Sequence, residues 1–276
     1  MPEMAGFPML GWRLPGTPLV QGACARNQRQ RNKRLLACAA LVALIGAARL
    51  PLYGQRPQDL VTPTPLKPGE FLILGFMGGR DRWDDDRRGV RKLALKLRSR
   101  QLPGVHVETV ENMKRGTALE LVRRALDRNR DGRLDAEERR SVPLILYGQS
   151  FGGAAVVKFA RQLEKLDVPV LLTVQVDSVG WGDEVIPSNV AHAANLYQRE
   201  RWFIRGEPAI RAEDAQKTVI VGNFRSHYRG KNIDLSGIPW HQRLFRTAHT
   251  KMDQDPDVWT KVEELILGAV RPQPPK

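Results

Sequence analysis

The sequence predicts an α/β fold, a mostly parallel sheet flanked by helices. Three observations predict it. Short apolar runs of strand type alternate with amphipathic runs of helical spacing from residue 70 to residue 270, an order that demands a parallel sheet covered on both faces. One of those runs, Val142-Pro-Leu-Ile-Leu-Tyr147, enters a Gly-x-Ser-x-Gly turn that opens directly into a helix-forming stretch. Finally, 42% hydrophobic and 27% charged residues in 276 suffice for a full core and exclude global disorder.

The elements follow in order. Residues 71–74 form an apolar strand. Residues 89–101 carry Val90, Leu93, Leu95 and Leu97 with Lys and Arg between, a helical pattern. Asp84-Asp85-Asp86 before it is expected to cap that helix and oppose its dipole. Residues 105–110 read as a strand and 117–126 as an amphipathic helix. Residues 143–147 are a buried-type strand, 152–166 a helix and 169–176 a strand. Residues 189–197 are expected to be a helix, placing His192 on a helical surface, and this stretch is expected to be scaffold near a mouth. Residues 217–221 form a strand and 257–270 the last helix. The Arg-rich stretch 199–211 reads as a surface loop. There is no internal repeat.

The formal net charge of +14 is concentrated at one end. Residues 1–50 hold seven Lys/Arg and one acid, leaving 37 basic and 29 acidic residues elsewhere. A moderately basic body favours anionic partners in general, and with no recognition motif beside it no specific nucleic acid is expected. The basic run 26–34 precedes fourteen uncharged apolar or small residues at 35–48, the pattern of a signal peptide or signal anchor. Fourteen is short of the roughly 20 residues a span needs, although continuing through 53 reaches that length. Both cysteines, Cys24 and Cys38, lie in this leader, so the body has no disulfide or thiolate metal site. Residues 51–69, with Pro51, Pro57, Pro63, Pro65 and Pro68, read as a linker. The expected organisation is a leader at 1–50, a linker at 51–69, a folded domain at 70–270 and a tail at 271–276. The domain is expected to be exported, periplasmic or extracellular, with membrane attachment through 35–53 as one form.

The sharpest signal is Gly148-Gln149-Ser150-Phe151-Gly152-Gly153 between strand and helix. A turn this tight strains the serine backbone, and the flanking glycines remove side chains that would clash. Here the chain resembles the α/β-hydrolase family over about residues 70–270, most of all its lipase- and thioesterase-like members, with Gln149 where His is commoner. The resemblance implies an α/β-hydrolase fold and an acyl-transfer site with Ser150 as nucleophile. It implies an oxyanion hole from the N–H of Phe151 and one in Leu74-Gly75-Phe76-Met77-Gly78-Gly79, with Phe76 first and Met77 next. The family order of serine, acid, histidine points to His249 before the last helix, with His241 and His227 as alternatives. The acid is Asp177 at the end of its strand, with Asp234 and Asp183 as alternatives. The implied substrate is a small-molecule or lipid acyl ester or thioester. A peptidase, or a non-catalytic binding protein on the same scaffold, is the competing reading.

A second pattern lies at 127–138. Asp127, Asn129, Asp131, Asp135 and Glu138 occupy positions 1, 3, 5, 9 and 12 of an EF-hand-like loop, with Gly132 at 6 and the Arg133 carbonyl at 7. Such a set of hard oxygens suits calcium, expected here in a structural role. Arg139 after position 12 and Pro143 depart from the pattern. No cofactor is required for the serine chemistry.

Overall fold

A computed structural model describes residues 54–200, 205–240, 243 and 247–270. The chain divides into units of residues 1–49 and 50–276, the first wholly outside the described residues. The expectations for the basic run, the apolar segment at 35–48, both cysteines, His241 and the tail therefore fall outside them too.

Among the described residues the second unit is built on six parallel strands, β1 Phe71–Met77, β2 Val105–Glu111, β3 Leu144–Gln149, β4 Val170–Val176, β6 Val190–Gln198 and β8 Val219–Ser226. Their order across the sheet is β2-β1-β3-β4-β6-β8. A separate parallel pair joins β5 Val185–Ile186 to β7 Arg211–Ala212. The helices are α1 Gly89–Ser99, α2 Arg115–Leu126, α3 Glu138–Ser141, α4 Phe151–Glu164, α5 Thr247–Gln254 and α6 Pro256–Val270. The chain winds outward from β1 to β2, then crosses back to β3 and continues the other way. The carboxyl ends of β1 and β3 therefore flank a topological switch point, where doubly wound sheets open a crevice.

Buried strands are apolar on both faces. In β3, all six residues of Leu-Ile-Leu-Tyr-Gly-Gln are buried. One face of the sheet packs Leu72, Leu74, Leu144 and Leu146 against α2 and α4 residues such as Leu121, Val156 and Phe159. The other packs Ile73, Ile145, Val174 and Leu196 against Leu93 and Leu97 of α1 and Val262 and Ile266 of α6. Each such aliphatic side chain removed from water contributes roughly 1.5–3 kcal/mol.

Three expectations change. Residues 189–197 are not a helix but strand β6, sandwiched between β4 and β8. His192 is accordingly an exposed strand residue. The run Val-Ala-His-Ala-Ala-Asn-Leu has helix-forming composition, and two strand neighbours override it. The aspartates at 84–86 do not cap α1, whose N-cap is Arg88 without a side-chain cap bond. Asp85 instead holds the Arg87 backbone and guanidinium, while the Gly89 N–H donates to Asp253 Oδ1 of α5 at 3.2 Å.

Residues 54–69 are also not a free linker. Gln55 is buried and its carboxamide spans Thr109 O at 2.8 Å and Glu111 N at 3.2 Å. Leu66 enters the core, and its N–H donates to Ala125 O. The fastener is Glu108 on β2, 1% exposed. Its Oε1 accepts from Val61 N, Thr62 N and Thr62 Oγ1 at 2.7–2.9 Å, and its Oε2 from Arg98 at 2.8 Å.

Removing that carboxylate leaves the Val61 and Thr62 donors and Arg98 without their acceptor. Glu108→Leu is expected to destabilise the protein by about 2–4 kcal/mol, with Glu108→Gln costing less. Chemical denaturation of both variants beside the wild type measures it.

Candidate active site

Ser150 occupies the turn between β3 and α4. Its φ of 59° and ψ of −123° lie in a region that non-glycine residues rarely adopt. The turn is held by its own backbone. Ser150 N–H donates to Val176 O at 2.9 Å, and Ser150 O accepts from Gly153 N and Val179 N. The helix begins at Phe151, so its first N–H groups face the crevice with the positive end of the helix dipole behind them. Gly152 lets this happen, since a Cβ there would stand 2.0 Å from the Phe76 carbonyl oxygen. The first turn of α4 is thus pressed against the end of β1.

That contact brings in the loop after β1. Gly78 lies against Ser150 and Gln149, close enough that a Cβ on it would meet Gln149 Oε1 at 2.5 Å and Ser150 Cβ at 3.4 Å. Asn112 steadies the loop, its amide donating to Met77 O at 3.0 Å and Gly79 O at 2.6 Å. Phe76 itself sits inside the ladder, opposite Val110 on β2 and Gly148 on β3. Its ring packs on Phe159 in the core. Met77, the last residue of β1, is opposite Glu111 on β2. Pairing with β3 ends at Phe76, opposite Gly148, so both Phe76 and Met77 stand at the end of β1 beside the first turn of α4.

Asp177 follows β4 and, like Ser150, has a positive φ, 43°. It is fully buried. One oxygen accepts from Gly206 N at 2.7 Å, and the other from Gln198 Nε2 at 3.0 Å and faces His249 Nδ1 at 2.6 Å. His249 is 7% exposed and lies in helix α5 rather than in a loop before the last helix. On the far side of the imidazole, His249 Nε2 meets Gln149 Nε2 at 3.1 Å. Among the described residues no hydrogen bond joins Ser150 to His249.

The alternatives are elsewhere. His227 and Asp234 are exposed, Asp234 holding Ser236 N. Asp183 is buried but turned to Ser178 Oγ, and burial raises its carboxyl above the usual range. Behind α5, Asp253 lies within 3.6 Å of Arg88, which also pairs with Asp81 at 2.8 Å. Burial pushes Asp81 up to about 6, with Arg88 opposing and Asp253 adding to the rise. These charges tie the loop after β1 and the start of α1 to the histidine helix.

Sequence reasoning assigned no role to four residues that position this site: Gln149, Gln198, Gly206 and Asn112. Of these only Gln149 stood within a recognised pattern, and its contact with His249 spans 100 positions.

At 127–138 the oxygens are turned to the loop's own backbone. Asp127 accepts from Asp131 N and Gly132 N, and Asn129 from Asp131 N. Buried Glu138 accepts from Arg128, Asn129 and Asp135 N–H groups. Gly132 has φ +81°, the left-handed turn that position six requires. The hard-oxygen donor set suits calcium in kind. Among the described residues no group of three or more His, Cys, Asp or Glu converges in a metal-holding arrangement. No helix among them is long and apolar enough to cross a membrane.

No family model matches the chain, and no curated protein matches it. Solved structures that resemble it include a cutinase-like protein from Cryptococcus sp., 12% identical, covering 76% of this chain and 98% of that one at a TM-score of 0.42. Another is described with LipS and LipT, two metagenome-derived lipolytic enzymes, at 12% identity, 75% and 95% coverage and a TM-score of 0.39. A third is the NocB thioesterase domain of the Nocardicin cluster, at 13% identity, 74% and 96% coverage and a TM-score of 0.33.

A Cβ at Gly206 would fall 2.3 Å from Asp177 Oδ1. Gly206→Ala is therefore expected to displace the carboxylate from His249 without unfolding the sheet. The readout is the downfield imidazole N–H proton signal, present in the wild type and lost in Gly206→Ala and in Asp177→Ala.

Proposed function

We propose that this protein is a serine hydrolase that cleaves an ester or thioester through an acyl-enzyme intermediate. The observation that carries the reading is the strained Ser150 at the β3–α4 turn, beside a buried Asp177–His249 pair at 2.6 Å on the next strand end. Strain held at one serine by a surrounding network is how such folds present a nucleophile.

In this reading His249 Nε2 takes the Ser150 hydroxyl proton while Oγ bonds to the substrate carbonyl carbon. Asp177 keeps the imidazole in the tautomer with its proton on Nδ1 and stabilises the imidazolium that forms. Negative charge on the carbonyl oxygen is met by the N–H of Phe151 and one at the end of β1, that of Phe76 first and Met77 next, donors fixed before the reaction begins. The tetrahedral adduct collapses, the alcohol or thiol leaves with the proton returned by His249, and an acyl-serine remains. Water, deprotonated by His249, attacks that acyl carbon, and Ser150 recovers its proton as the acid departs. A small-molecule or lipid acyl ester is the proposed substrate class. Export through the leader, with attachment through 35–53 as one form, is proposed with it on the sequence pattern alone.

We further propose that the 127–138 loop takes calcium through Asp127, Asn129, Asp131, the Arg133 carbonyl, Asp135 and Glu138. The ion would brace the approach to β3, which begins at Leu144, six residues past Glu138, and take no part in the chemistry. Calcium is expected to raise the melting temperature over a chelated sample, and Glu138→Gln to abolish the difference. Equal melting in calcium and chelator removes the metal from the account.

A fluorophosphonate probe tests the enzyme reading. The full chain is expected to label at Ser150, Ser150→Ala not at all, and Asp177→Asn more slowly by about 10³-fold or more. A folded wild type that does not label, with or without calcium, points instead to a non-catalytic binding protein.

A further inference from the structure

Resting on the hydrolase reading, the structure assigns a further role: we propose that Gln149 is a positioning residue whose carboxamide occupies His249 Nε2 in the free protein and competes there with the Ser150 hydroxyl. Gln149 is the last residue of β3 and 5% exposed. Its backbone is fixed by pairing with Val176, so the side chain has one direction to take. That direction carries it between Gly78 and the imidazole, with Oε1 against the glycine and Nε2 3.1 Å from His249 Nε2. A side chain at residue 78 would occupy this slot, which links the glycine of the loop to the placement of the amide.

The chemistry follows from what each ring nitrogen can do. With Nδ1 donating to Asp177, neutral imidazole leaves its lone pair on Nε2. The Gln149 amide N–H donates to that lone pair, the one needed to accept the serine proton. Among the described residues it is the hydrogen-bond partner that Nε2 has, and Ser150 is not. When Nε2 becomes protonated the contact reverses sign, since two N–H groups then face each other. The carboxamide must turn over to present Oε1 or withdraw. Gln149 therefore favours the neutral base before reaction and opposes the imidazolium unless it rotates. An amide can make that half-turn about its last side-chain bond without moving the strand.

Among the described residues, the charged groups closest to His249 in the packing have other partners. Asp177 of β4 contacts Nδ1. On the helix of His249, Lys251 is turned away to the carbonyls of Tyr228 and Lys231. Asp253 is turned to Gly89 N and Arg88 at the start of α1. Tyr228 spends its hydroxyl on Asp255. None of these described groups is bonded to Nε2, whose contact is Gln149.

The test uses the full chain with ¹⁵N-labelled histidine, the His249 signals assigned by His249→Ala. Gln149→Glu places an acceptor that holds the protonated ring. Its titration midpoint is expected to rise by about one unit or more. Fluorophosphonate labelling should then fall about tenfold at pH 7 and recover to within about twofold of wild type at pH 9, a recovery that misfolding would not give. Gln149→Leu and Gln149→Met, which take away the donor, are expected to change the Nε2 ¹⁵N shift toward that of a free lone pair, and two variants guard against one that folds poorly. An unmoved midpoint in Gln149→Glu together with an unmoved Nε2 shift in folded Gln149→Leu or Gln149→Met overturns the assignment. The ring titration needs no turnover, so it stands apart from labelling: a midpoint that moves in a protein that never labels supports the contact and sinks the hydrolase reading.

Discussion

A carboxylate with no exposure to water governs this end of the molecule. Asp177 cannot be stable there unless every lone pair it turns inward meets a donor, because removing an isolated charge from water costs several kcal/mol or more. The fold meets that demand with four donors on three residues: the Gly206 backbone, the Gln198 backbone and side chain, and the ring of His249. Satisfying one buried charge therefore fixes the end of β6, the backbone at Gly206 and the placement of α5. Those elements share little sequence proximity, and the aspartate is what they have in common.

The parallel register supplies the rest of the arrangement. Strands running the same way end on the same edge, so β1, β3 and β4 deliver Gly78, Ser150 and Asp177 to one rim without any loop having to travel. Two of the three residues next to these ends, Ser150 and Asp177, sit at positive φ. Each costs of order 1–3 kcal/mol, and both are held by the surrounding hydrogen bonds rather than by their own preference.

Much of this was legible in the residues themselves. Strands buried on both faces leave continuous apolar runs, which is why β1, β3 and β4 and the helices between them were recognisable. The Gly-x-Ser-x-Gly turn, Asp177 at a strand end and His249 near the last helix were recognisable because spacing and chain order carry them, and the structure brings the last two into contact. Strand β6 was not, since its alanines, asparagine and leucine fit a helix equally well and only β4 and β8 decide between them. Residues 54–69 were hidden for a similar reason: proline and polar composition signals a linker, while Glu108, which ties them down, lies some 46 positions away. Gln198 and Gly206 belong to no pattern, and Gln149, though inside the elbow, fills its variable position; a neutral amide or a glycine reveals its use only through what approaches it.

The fastening of residues 54–62 also decides where the chain enters its domain. Gln55 is bonded at Thr109 and Glu111, the carboxyl end of β2, which is the same edge that carries Ser150. Helix α6 runs the other way, its Glu263 reaching Lys96 and Arg100 at the end of α1, and Val270 packs into the cluster holding Phe71 and Val105, the first residues of β1 and β2. The two ends of the domain thus lie on opposite edges of the sheet. Immobilising the protein through its C-terminal side leaves the serine rim open to a bulky reagent, whereas a fusion placed just ahead of Gly54 stands at the mouth.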